Sequence, residues 1–444
     1  MLEIPSVEVI KSIQPANQGT GEADLVYSAL SNRALTYRKT SGTRWNKFSD
    51  ATPRSLNEDS KARQVALESL VLTSEILNQQ TDTDQYNTWA DRFTTGSIEL
   101  YGQPEKYEAL NLVALSLNDL DKQRRSCDQL SIPYIEFLQS IYSKLLQGTI
   151  FEDRDLYWDK LDRYKADIEL YGRAVRERYQ PIFDIVELSE KKEYSASEIR
   201  IVFEKAIDWL KENDEPSWSQ WKIINSNRKA LMVSSINREI DIPDGRKNAT
   251  ANELVSLLAH ELLVHVQRAN NGYLRVETTG TKKLAIGLPR YDEAEEGLAV
   301  ITDQAISGKR PNKMVERYMD IALALGILDG QQRTRQEMYD ICFARRVINS
   351  FGSNRLTQPD INKLEKDSWK YVDRIYRGGR GNLKDRRQAI FTRDAVYYAG
   401  YLKMRSYISK QITEGKSTSQ ILDYLSQGKF DPTNEDHKYF VLLN

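Results

Sequence analysis

Cysteine occurs only twice in this chain, as Cys127 and Cys342, a spacing that suits neither a disulfide framework nor a cysteine-built zinc site. Both read as reduced packing residues of a cytoplasmic protein. An excess of either charge is missing as well. Lys and Arg number 63 against 64 Asp and Glu, so no global field draws the chain to nucleic acid or to an anionic membrane. Long apolar runs are also missing: Ile321 to Leu328, interrupted by Gly326, is the longest and is far too short to span a bilayer. The opening Met1-Leu2-Glu3-Ile4-Pro5 lacks the basic segment and apolar stretch of a signal peptide, which again points to the cytoplasm. No repeat of fixed period is evident. Charged residues make up 29% of the 444, the balance of an ordinary protein with room for a large core in one domain or two. The scarcest chemically versatile residue is histidine, with three copies.

Two of those three stand in Leu257-Leu258-Ala259-His260-Glu261-Leu262-Leu263-Val264-His265-Val266. A His-Glu pair with a second histidine five positions after the first arises by chance in about one such chain in a thousand. The familiar metal-binding spacing is H-E-x-x-H, with histidines at i and i+4 on one helix face. Here the separation is i to i+5. On a regular α-helix the fourth residue lies about 40° away and the fifth about 140° away, so both rings cannot face one ion. A π-type widening returns them to one side, and the sequence therefore predicts a distorted helix between His260 and His265. The flanking residues leave no polar face, as in a helix at the centre of a domain. Two imidazoles and a carboxylate buried there need partners, and one divalent cation satisfies all three. Core histidines bonded to backbone are the competing reading, which suits a lone histidine better than this trio.

Residues 1–62 are loop-rich and polar, an irregular amino-terminal arm. The main domain is expected over 63–444, with a helical part at 63–215 and a sheet and metal-site part at 216–444. Ala66, Leu67, Leu70, Val71, Ser74 and Leu77 form a first helical stripe, which the stretch from Arg92 to Pro104 breaks. Helices follow near 107–120, 131–146 and 155–178. Ser195 to Glu198 is a capping box that opens another helix. Trp221 to Asn225, Ala230 to Ser235 and Asn237 to Ile242 read as three strands of a small antiparallel sheet. Thr250 to Glu253 is a second capping box and starts the histidine helix, which makes Glu253 a cap; Asn271-Gly272 marks the stop. The fold class expected is α+β, predominantly α: a helical body with a small antiparallel sheet beside the histidine helix.

A small sheet followed by a metal helix is the order of zinc metallopeptidases, where an edge strand can hold an extended peptide. A catalytic zinc needs a third protein ligand and an open position. His437, in the polar Asn434 to Lys438, reads as surface, so that ligand is a carboxylate. Tyr291-Asp292-Glu293-Ala294-Glu295-Glu296-Gly297-Leu298-Ala299 is the richest source. Acids there also favour a positive helix N-terminus, which accounts for Asp292 and Glu293.

His-Glu-x-x-x-His followed some thirty residues later by Glu296-Gly297-Leu298-Ala299 resembles the QEGLA-motif zinc metallopeptidases, the family that includes the microtubule-associated tyrosine carboxypeptidase. Phe93 to Pro104, Arg377-Gly378-Gly379 and Phe391 to Tyr397 look like further segments of that family, and the likeness extends over roughly 65–444. The resemblance implies one zinc per chain held by His260, His265 and Glu296, Glu261 as catalytic base, and removal of an aromatic (Tyr or Phe) residue from the carboxy-terminus of a peptide or protein. Glu295 departs from it, standing where the family name has glutamine; so do Leu262-Leu263-Val264, where members often carry smaller residues. The tubulin-binding amino-terminal region of the animal enzyme has no evident counterpart, so tubulin as substrate does not carry over.

The chemistry also follows from the residue types. Zinc on two imidazoles and a carboxylate brings the pKa of bound water near 7, and Glu261 can take that proton and deliver it to the leaving amine. Tyr397 and Arg393, on the helix after Phe391, are candidates to share the oxyanion charge. Arg377, beside two glycines that let a ligand approach, is the candidate for the substrate carboxylate, because a guanidinium fork matches it. Two other readings use the same metal: a zinc endopeptidase or aminopeptidase, and a non-catalytic regulatory protein with a structural zinc.

Overall fold

The computed structural model describes residues 83–127, 131–147, 154–189, 191–227, 230–276, 280–288, 290–308, 312–350, 358–376 and 388–442. The expected arm over 1–62 and the stripe from Ala66 to Leu77 lie outside them. In chain order, helices α1 (Thr83–Tyr101), α2 (Lys106–Arg124), α3 (Ile132–Leu146) and α4 (Arg154–Glu187) come first. Strand β1 (Glu193–Tyr194), helix α5 (Ala196–Asn213) and strands β2 (Lys222–Ile224), β3 (Met232–Ser234), β4 (Glu239–Asp241) and β5 (Ala249–Thr250) follow. Next is a continuous rod: α6 (Ala251–Leu257), a π-helix (Leu258–Val266) and α7 (Gln267–Leu274). Helices α8 (Asp292–Ser307), α9 (Asn312–Leu325), α10 (Arg335–Ser350), α11 (Gln358–Ile375), α12 (Ala395–Thr413), α13 (Thr418–Leu425) and α14 (Glu435–Leu442) complete the chain. The class is thus α+β with helix predominant, as expected. Among the described residues no helix is long and apolar enough to cross a membrane.

The chain divides into two units, one holding 83–147 and 313–395, the other 154–312 and 396–442. In the first, α2 packs on α3, α10 packs on both α3 and α11, and a fully buried Asp320 joins them. Helix α1 runs through Arg92 to Tyr101, where the sequence suggested a break. Its Thr94 and Ser97 explain the difference. Thr94 Oγ1 accepts from the Ile390 amide at 3.0 Å and Ser97 Oγ from the Thr392 amide at 2.8 Å, so residues that weaken a lone helix here dock an extended segment. Phe93 and Phe391 pack beside these bonds, with Ala90 and Ala389.

In the second unit α4 kinks at Tyr179, two residues before Pro181, which lacks an amide and crowds the preceding turn. Gly172 of α4 lies so close to Ala305 of α8 that a Cβ would come within 2.7 Å of the alanine methyl. The three-stranded sheet has the order β2-β4-β3. The antiparallel expectation holds for β3 and β4, a hairpin closed by Arg238 at φ 54°. It does not hold for β2, which pairs parallel with β4 because the connection from β2 crosses to the far edge before the hairpin returns. Tyr273 of α7 donates to the Ser235 carbonyl at 2.9 Å and tethers the hairpin turn to the rod.

Candidate metal centre

The rod that carries the site begins as the sequence predicts. Glu253 accepts from the Thr250 amide at 2.9 Å while Thr250 Oγ1 accepts from the Glu253 amide at 3.3 Å, a reciprocal cap. Glu253 is therefore a cap, as read. From Leu258 the backbone widens to π geometry and keeps it for nine residues, through both histidines. Leu258, Ala259, Leu262, Leu263, Val264 and Val266 are buried all round it, and their packing offsets the poorer hydrogen-bond geometry of the wide turn. The helix does not stop at Asn271-Gly272. It continues to Leu274, because Gly272 sits against the Leu284 backbone, where any Cβ would come within 2.3 Å, and Asn271 donates to the Ser426 carbonyl at 2.9 Å.

The widened turn brings His260 and His265 to one side, with ring centroids 5.1 Å apart. Helix α8 supplies the third member. Glu296 Oε2 stands 3.8 Å from His260 Nε2 and 3.6 Å from His265 Nε2. All three ligand atoms lie within 4.8 Å of one another. Ligands about 2.0–2.2 Å from a zinc ion stand some 3.4 Å apart in a tetrahedral arrangement, so the carboxylate-to-imidazole separations are those of a cation cradle. Two neutral nitrogen donors and one carboxylate are also the donor set zinc takes when a fourth position stays open. The three side chains are 12–19% exposed, so the cluster is not sealed from solvent.

Helix α8 is held in place by its glycine. A Cβ on Gly297 would fall 2.0 Å from the Gly400 carbonyl carbon of α12, and one on Gly400 would fall 1.8 Å from the Glu293 carbonyl oxygen. This backbone-to-backbone crossing fixes Glu296, the residue before Gly297. Glu293 is drawn aside by Lys403 at 2.5 Å, and Asp292 is exposed, so neither acid faces the histidines.

Glu295 faces away from the point where the three ligand atoms converge and is held in a cluster of its own. It is 2% exposed, and its Oε1 lies 3.0 Å from His265 Nδ1 and 2.7 Å from Lys429 Nζ. Its Oε2 accepts from Arg268, whose other arm donates to the Phe430 carbonyl at 2.7 Å. Burial alone would raise the Glu295 pKa, but the charges of Lys429 and Arg268 and the His265 hydrogen bond bring it well below the usual carboxylate range. Burial disfavours the charged form of His265, yet the carboxylates of Glu295 and Glu296 outweigh it and raise the pKa to about 10 in the metal-free protein.

Glu261, the residue after His260, is half-buried on the same wide turn. Arg246 lies within electrostatic reach of it, with its Nε buried and without a hydrogen-bond partner. Tyr397 is on α12, one turn before Gly400, and so beside the crossing that holds Gly297. Arg393 is not on that helix: it occupies the turn before it, exposed, with its guanidinium 6.0 Å from the Tyr101 ring in the first unit. Arg377 lies outside the described residues. His437 is buried, where a surface position was expected, because its Nδ1 accepts from the Asp431 amide at 2.9 Å. Cys127 and Cys342 are both free thiols, as expected. The sequence reading missed Arg268, Lys429 and Arg246. Arg268 carried a signal, a charge three residues after His265 in an apolar helix; Lys429 and Arg246 carried none.

The sequence matches the family described as microtubule-associated tyrosine carboxypeptidase over residues 168–326 and 355–437, more than half of the chain and every candidate site residue. No curated protein matches it.

Proposed function

The chain belongs to the microtubule-associated tyrosine carboxypeptidase family, and on that premise we propose that it is a zinc carboxypeptidase that trims an aromatic residue, Tyr or Phe, from the free carboxy-terminus of a peptide or protein. The observation that carries the zinc is the convergence of His260, His265 and Glu296 on one point across a π-turn. A zinc ion held there supplies Lewis acidity, which acidifies water and polarises a peptide carbonyl. Glu261 accepts the proton of the attacking water on its carboxylate and passes it to the leaving amine as the C–N bond breaks. The new bond joins the water oxygen to the carbonyl carbon, and the proton ends on the released amino group. Tyr397 would donate to the oxygen that gathers charge; Arg393 has the weaker claim, since its guanidinium lies over the Tyr101 ring. The edge strand β3, which packs against the π-segment, offers backbone for an extended substrate.

Carboxypeptidase action also needs a cation for the terminal carboxylate. Arg377 is one candidate and Arg246 a second, favoured by its electrostatic reach to Glu261 and its unpartnered Nε. Cytoplasmic residence, and substrates other than nucleic acid or membrane, complete the reading.

The test is a pair of peptides ending in Tyr, one a free acid and one an amide. The free acid should lose one residue and the amide should resist, with a preference of about 30-fold or more, since losing a charge-assisted bond of this kind costs roughly 2–5 kcal/mol. Mass spectrometry reads the products. Equal cleavage at internal bonds of both peptides would favour an endopeptidase instead.

A further inference from the structure

Three charged groups meet behind His265, and packing does not account for them. Arg268 is 1% exposed, Glu295 2% and Lys429 4%. A buried ion pair seldom stabilises a fold more than apolar residues of the same volume would, because both charges lose their water. Two cations around one carboxylate are harder still to explain by stability alone. The arrangement makes sense once the histidine is included. Oε1 of Glu295 faces His265 Nδ1 at 3.0 Å and Lys429 Nζ at 2.7 Å, while Oε2 is taken by Arg268. The carboxylate is thereby held on both oxygens and cannot turn to become a ligand itself.

Resting on the zinc reading, we propose that Glu295, clamped by Arg268 and Lys429, is the positioning residue that sets the ring and tautomer of His265 and strengthens its bond to the cation. With a cation bound, an acceptor on Nδ1 would keep a proton there and leave Nε2 as the donor to the cation, on the side where Glu296 Oε2 lies 3.6 Å away. The same arrangement explains why glutamate replaces the glutamine of the family motif. An amide oxygen at 295 would still accept from Nδ1, but it would leave Arg268 and Lys429 buried without a counter-charge. In this chain glutamate and the two cations form one unit.

The experiment compares Glu295→Gln with the double variant Glu295→Gln/Lys429→Met, which restores the net charge of the cluster. Zinc affinity is measured on folded protein by competition with a chromophoric chelator, and metal-free stability by thermal unfolding with chelator in excess. Glu295→Gln is expected to bind zinc about 10- to 100-fold more weakly and to unfold at lower temperature. The double variant is expected to recover the unfolding temperature while its zinc affinity stays low. Recovery of both would mean that Glu295 is only a counter-ion, and would overturn the inference while leaving the zinc reading intact. Unmutated protein that takes up no zinc would overturn both.

Discussion

Each unit buries a carboxylate against an arginine, and the two differ in what else touches it. In the first, Asp320 is wholly buried and takes both arms of Arg345, at 3.0 and 2.7 Å, together with the Tyr371 hydroxyl at 2.7 Å. Arg345 also donates to the Tyr142 hydroxyl at 3.2 Å, so α3, α9, α10 and α11 are tied at one node. None of these partners belongs to the cluster of candidate metal ligands. In the second unit Glu295 is as deeply buried and as well paired, but one of its partners is an imidazole whose other nitrogen faces Glu296. Buried charge is therefore no mark of chemistry in itself. What distinguishes the two is a relay from the buried acid to a group that can bind something from outside.

The strongest way to break the contrast is to remove that group. His260→Ala and His265→Ala should each empty the site, abolish hydrolysis and lower the unfolding temperature, since a metal bound only by the native state stabilises it. Elemental analysis of the purified variants checks this, and full zinc in both would end the metal reading. Glu261→Gln should separate binding from chemistry: zinc stays at one per chain while turnover falls about 10²- to 10⁴-fold. Zinc content and peptide cleavage measured on one preparation decide it. Asp320→Ala should do the reverse. It leaves Arg345 buried without its partner, at a cost of about 3–5 kcal/mol in denaturant unfolding, with zinc affinity unchanged.

The smallest effect sharpens the comparison with a third carboxylate. Asp340, half-buried, has an amide in place of a cation as partner, Gln336 at 2.9 Å. Burial raises its pKa to about 6. An acid whose folded pKa exceeds its unfolded value near 4 destabilises the fold once both states are ionised, and that cost fades as pH falls through the folded pKa. Asp340→Asn should accordingly stabilise the protein above pH 6 by about 1 kcal/mol, since one face still meets solvent, and the gain should vanish by about pH 4. Unfolding midpoints at pH 8 and pH 4 test the sign.

Local rules exposed much of this site in the sequence. The two capping boxes are properties of four adjacent residues, and both formed as read. The π-distortion follows from spacing alone, because no other winding brings residues five apart to one face. The errors lie where a distant segment decides. Gly272 looked like a stop until Leu284 came against it, and Thr94 and Ser97 looked like breakers until the chain near 390 arrived to donate its amides to them. Lys429 is separated by 134 residues from the glutamate it clamps, and nothing around it in the chain announces that role. Glu295 was visible as an odd letter in a motif, but its meaning needed the two cations.

The wide turn between the histidines has a further consequence for insertion and deletion. A π-turn absorbs one extra residue without changing the phase of the helix beyond it. His-Glu-x-x-x-His wound as π and His-Glu-x-x-His wound as α are thus two spellings of one surface. Deleting a residue from Leu262-Leu263-Val264 and letting the segment relax to α keeps both rings on the same side and leaves Arg268 three positions after the second histidine. Only one apolar side chain is lost. Such a deletion is gentler on the site than forcing the present sequence into regular α-helix, which would swing everything after the turn by about 100°. What the chemistry requires is an angle about an axis, and the number of letters between the histidines is set by how tightly the backbone winds.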